Sequence, residues 1–188
     1  MIRNRMAEFT FEREAVEVRK YPYKPSIAYL KNILHARDVQ EVDGDSIWLK
    51  DRDIVYLPYK HKDTLAQWAK DNAIPVRRRY DLVALILQPF LDTEFTAKDM
   101  QHSYRILRLH GIPPEACDAY RARFQDIMWE YNITSMLWEW CYLGITDLLD
   151  AHLGILVSDK YRVSEDRFEK LYWELIAIQR RASIVGAP

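Results

Sequence analysis

The densest apolar patterning in the chain lies between Asn132 and His152. Ile133, Met136, Leu137, Trp140, Cys141, Gly144, Ile145, Leu148 and Leu149 recur there at the spacing of a helix with one buried stripe. Trp138, Tyr142 and Leu143 fall off that stripe, and a helix apolar most of the way round is covered on several sides. The pattern predicts a central helix over this stretch. A break at Asn132 would separate it from a preceding helix that opens at Pro114, because one continuous helix would force the apolar stripe to change face.

The N-terminal part has a different period. Phe9 and Phe11, then Val16 and Val18, alternate with polar residues as a half-buried strand does, and Pro22 and Pro25 stop the ladder. Ser26 is placed to cap a short helix running to His35, with Ile27, Leu30, Ile33 and Leu34 as its inner face. Val39 to Val42, Ile47 to Leu49 and Ile54 to Leu57 read as short strands of an antiparallel meander, the first turn being Asp43-Gly44. Asp63 or Thr64 opens a helix with Leu65, Trp68 and Ala69 inward.

Further along, Asp81 caps an apolar helix over Leu82 to Gln88 that Pro89 ends. Thr96 and Asp99 have the spacing of a capping box, opening a helix that buries Met100, Tyr104 and Leu107 and stops at Gly111. Ser164 caps the last helix, with Phe168, Leu171, Tyr172, Leu175 and Ile178 inward. The class that follows is α+β, with a small N-terminal antiparallel sheet and short helices packed on a mainly helical C-terminal bundle. The expected division is residues 1–78 and 79–188, sharing one core as a single domain, since no repeat or Gly/Ser linker separates them.

Composition narrows the function more by exclusion than by indication. The net charge is -1, but residues 1–80 carry 16 Lys and Arg against 12 Asp and Glu, while residues 81–188 carry 11 against 16. Neither half has the basic excess that drives nucleic-acid binding. Arg77, Arg78 and Arg79 read as a solvated loop or as an internal partner for the acidic half. The uncharged runs are too short for the ~20 residues of a membrane span. Met1 to Arg5 leads into no apolar run, and Cys117 and Cys141 form no C-x-x-C pair, which together predict a cytoplasmic protein with free thiols. On that reading the glycosylation pattern at Asn132-Ile133-Thr134 is accidental.

No G-x-S-x-G, P-loop or dinucleotide fingerprint is present among the five glycines. His102 and His110 lie eight residues apart on one predicted helix, ~12 Å along its axis, too far to share a metal unaided. No cofactor and no metal are therefore expected. The abundance of aromatics, with 6 Trp and 12 Tyr, and the uneven charge favour a non-catalytic module that binds another protein, such as an adaptor, an inhibitor or an immunity-like protein. Its expected contact residues are Glu130, Trp138, Glu139 and Tyr142. The alternative is a hydrolase that uses carboxylates, with or without a divalent metal. Asp92 and Glu94, held between Phe90 and Phe95, would then have to converge with Glu139 and Asp147.

Overall fold

The computed structural model describes residues 7–91, 95–135 and 142–185. The architecture is α+β, as the patterning predicts. The chain divides into two compact units, one comprising residues 1–79 and 184–188, the other residues 80–183.

The first unit holds two sheets. Strands β1 (Glu8–Phe11), β2 (Ala15–Arg19) and β3 (Ile33–His35) form an antiparallel sheet in chain order. Phe9, Val16, Val18 and Leu34 are buried, which accounts for the period-two pattern. Strands β4 (Val39–Asp43), β5 (Ser46–Leu49) and β6 (Ile54–Tyr56) make the predicted meander, with Gly44 at φ +57° in its first turn. A two-residue strand, β7 (Val76–Arg77), joins β4 in parallel and turns this second sheet into a mixed one. Two residues are too short a run for any periodicity to announce.

The helix expected from Ser26 to His35 is cut short. It forms only as α1 (Ile27–Lys31), because Asn32 adopts the left-handed conformation (φ 59°) and caps it. Ile33, Leu34 and His35 then pair with β2, so Leu34 is buried while Leu30 and Ile33, expected inside, face out. The start of α1 was legible: the Ser26 side chain accepts from the Ala28 N–H at 3.2 Å. What holds that cap was not. Fully buried Asp53 accepts from Ser26 Oγ at 2.7 Å, from Ile27 N at 2.8 Å and from Ile54 N at 2.9 Å, so the buried carboxylate is satisfied by three donors. Helix α2 (Lys62–Asp71) buries Leu65, Trp68 and Ala69 as predicted.

The arginine run has an internal partner, but in its own unit. Arg79 pairs with buried Glu41, lies over the Trp48 ring with the guanidinium carbon 4.8 Å from its centroid, and donates its N–H to Asp43. Arg77 and Arg78 are exposed.

The second unit is helical, with α3 (Leu82–Leu87), α4 (Ala97–Leu109), α5 (Pro114–Ser135), α6 (Ile145–His152) and α7 (Glu165–Gln179). Short α3 buries Leu82, Val83, Ile86 and Leu87 against α4, α5 and α7. Asp81 caps it through the Ala84 N–H at 2.8 Å. The Thr96–Asp99 capping box opens α4 in both directions, although Met100 is exposed rather than buried.

The central helix is where expectation and structure part. No break occurs at Asn132. Helix α5 continues through it to Ser135, while residues 142–144 are not helical and α6 begins at Ile145. Residues 136–141 lie outside the described residues. Two features of the sequence hide this arrangement. Asn132 turns its side chain away from the helix to donate to the Phe90 carbonyl at 2.9 Å, so it does not compete for the helix backbone. Asp147, three residues after Gly144, accepts the Gly144 N–H at 2.8 Å and starts α6 inside what reads as one apolar run. Ile133, expected in the buried stripe, is 69% exposed.

Candidate functional site

Of the residues singled out from sequence, Asp92, Glu94, Trp138 and Glu139 lie outside the described residues. Asp147, Tyr142 and Glu130 can be placed, all in the second unit.

Asp147 sits in the first turn of α6. Its Oδ2 takes the Gly144 N–H, and its Oδ1 accepts from the Tyr131 hydroxyl of α5 at 3.2 Å. Burial raises the carboxyl above its ordinary value against those two hydrogen bonds, and the charge of Asp81 adds to the rise. Tyr131, which is itself buried, is pushed up by burial and by the charges of Asp147 and Asp150.

Asp81 was legible only as a helix cap. It also accepts a hydrogen bond from the Tyr142 hydroxyl through Oδ2, leaving Oδ1 for Ala84. Burial raises Asp81, while the Tyr142 and backbone hydrogen bonds oppose the rise. The Tyr142 ring remains 54% exposed and lies over Gly144, where an added Cβ would come within 2.8 Å of the ring. Glycine at 144 therefore permits the ring position that the Asp81 bond requires.

Asp81 and Asp147 are thus two carboxyl groups raised by burial, each accepting from a tyrosine hydroxyl. Both carboxylates are also engaged by the backbone of a helix start. Among the described residues, no three His, Cys, Asp or Glu side chains are grouped so as to hold a metal ion.

Glu130, on α5, is taken up locally. Its Oε1 accepts the Ser158 N–H at 2.5 Å and its Oε2 faces Lys160 Nζ at 3.3 Å. These contacts, Ser158 first, hold its carboxyl below the ordinary value. It is an intramolecular tie more than a free contact group.

The neighbouring positions carry what sequence reasoning missed. Trp129 is 43% exposed, and Ile133, one turn further on, is more so. Both lie on the side of α5 away from Phe124, Ile127, Met128 and Tyr131, which are buried. The signal was available: a helix carried through Asn132 places Trp129 and Ile133 at i and i+4 on the outer face.

One titratable group in this unit stands apart from both sets. His152 ends α6 with its ring 6.2 Å from that of Phe124, and its Nδ1 is buried with no hydrogen-bond partner among the described residues. Burial, aided by the charge of Arg123, lowers it to about 4.

No family model, curated protein or solved structure matches this chain.

Proposed function

We propose that the protein is a non-catalytic module that binds another protein, with the outer face of α5 as its contact surface. The observation that carries this reading is the exposed Trp129–Ile133 pair. A tryptophan and a β-branched aliphatic residue one helical turn apart, standing outside a well-filled core, form the kind of anchor that supplies most of the energy of a protein interface. Gln125 and Asp126, one turn before Trp129, are also exposed on α5 and supply polar groups beside the pair. Tyr142 adds a half-exposed ring, but its hydroxyl is occupied by Asp81. The test is a double substitution, Trp129→Ala with Ile133→Ser. It should abolish capture of the protein's partners while leaving the melting temperature within a few degrees of the parent, because neither side chain belongs to the core.

The raised carboxyl groups of Asp81 and Asp147 favour a second reading, an acid/base site of the hydrolase class. Burial raises both carboxyl groups, and the charge of Asp81 adds to the rise at Asp147, so each holds a proton to a higher pH than an ordinary carboxyl group does. Their work as caps argues for a structural role instead. Asp147→Asn separates the two. Loss of a hydrolytic activity with an unchanged fold supports the enzyme, whereas a small loss of stability as the only effect supports the cap.

A further inference from the structure

We propose that Ser183 is a phosphorylation site for a protein kinase that reads arginines. The sequence around it is Arg180-Arg181-Ala182-Ser183-Ile184-Val185. Guanidinium groups three and two residues before a hydroxyl, with an aliphatic residue just after it, are the pattern selected by a kinase whose substrate groove carries carboxylates. No other serine or threonine of the chain has arginine at both of those positions. Ser158 and Ser164, which are also exposed, are followed by Asp159 and Glu165 instead.

The structure presents this residue for modification. Helix α7 ends at Gln179, and Ser183 lies beyond it, exposed and outside any helix. There the chain makes an isolated antiparallel bridge, Ile184 opposite Arg79, rather than a ladder. Tyr80 N reaches the Ser183 carbonyl at 3.4 Å, a long bond. The extended form that a kinase groove requires is therefore reached by local opening that no ladder resists. The hydroxyl itself is held by His110. The imidazole Nδ1 faces the Ile106 carbonyl at 2.7 Å and must donate to it, so Nε2 of the neutral ring accepts from the Ser183 hydroxyl at 2.9 Å. Arg181 Nη1 donates to the carbonyl of Gly111, next to His110, at 3.2 Å. Both bonds open when the segment enters the kinase. In the reaction Ser183 Oγ attacks the γ-phosphorus of a nucleoside triphosphate and forms the new O–P bond. The bond from that phosphorus to the bridging oxygen breaks, nucleoside diphosphate leaves, and the hydroxyl proton passes to the carboxylate base of the kinase. A group of charge about −1.5 to −2, which only accepts, then stands where His110 had received a donor.

This inference goes beyond the interaction reading and does not rest on it. The experiment incubates the full folded chain with magnesium ATP and the catalytic subunit of cyclic-AMP-dependent protein kinase, which selects basic substrates. A parallel sample receives an acid-directed casein kinase. The first enzyme should place a phosphate on Ser183, located by fragmentation mass spectrometry, and the second should leave Ser183 unmodified. Replacing both arginines, Arg180→Ala with Arg181→Ala, should slow modification of Ser183 by about tenfold or more, since two charge-assisted contacts with the kinase are lost. Partial unfolding of that variant would expose the serine and speed the reaction, so a fall in rate reads recognition rather than damage. An unmodified Ser183 in the folded chain overturns the proposal. So does an equal rate for the arginine variant, or equal modification of Ser183 by the two kinases.

Discussion

At the scale of single residues, the second unit sets two acidic groups and one histidine against their ordinary titration. For His152 the sign is clear. Its folded value, about 4, lies below the 6.5 of an unperturbed histidine, so between these values the unfolded chain binds more protons and stability falls as pH falls. The full difference is on the order of 3 kcal/mol. His152→Leu removes this contribution, so the stability difference between variant and parent, measured by urea unfolding from pH 7 to pH 4, should shift steadily in favour of the variant. A difference independent of pH would contradict the burial assigned to the imidazole.

Asp81 and Asp147 act in the opposite sense. Their raised values make protonation easier in the folded chain, so each adds stability as pH falls from its raised value toward the ordinary 3.8. Because the Tyr142 hydrogen bond opposes the rise at Asp81, Tyr142→Phe should push the Asp81 carboxyl higher still. Carboxyl carbon shifts followed through a pH titration read this directly. No movement would mean that the hydroxyl bonds elsewhere in solution.

At the scale of elements, ends were readable where a side chain does the capping and were hidden where a distant group does it. Ser26, Asp81 and the Thr96–Asp99 pair announced helix starts because their partners lie within three residues. The end of α1 depends on Asn32 in the left-handed region, and the strand after it on pairing with β2, neither of which a helical period reveals. Asn132 misled for a related reason. It is a poor helix former in isolation, yet its amide reaches back 42 positions to the Phe90 carbonyl and lets α5 continue. Asn132→Ala therefore sets propensity against tertiary bonding. Propensity favours alanine by roughly 0.5 kcal/mol, while a carbonyl left without its partner costs about 1–3 kcal/mol. The variant should be less stable by about 1 kcal/mol in chemical unfolding, and a more stable variant would show that the Phe90 bond contributes little.

For the molecule as a whole, the α+β class followed from two periods, alternation before residue 60 and helical spacing after it, because burial on one face imposes each period directly. The sites were less legible. The sequence placed Asp147 and Tyr142 on one predicted helix, whereas the structure separates them by a helix start and couples both to Asp81, more than 60 positions away. Contacts of that separation leave no local trace. The outer pair went unrecognised because the expected break at Asn132 turned Ile133 inward and so left Trp129 without its i+4 neighbour.

The most direct test of the interaction reading is quantitative affinity capture with the parent chain and with the Trp129→Ala, Ile133→Ser variant, run beside thermal unfolding of both. The account predicts a defined set of proteins retained by the parent, reduced by about tenfold or more in the variant, since losing one buried anchor at an interface costs at least about 1.4 kcal/mol. The two melting temperatures should agree to within a few degrees. The same proteins retained equally by both chains would contradict the assignment of the α5 face, and a parent chain that retains none would contradict the function itself.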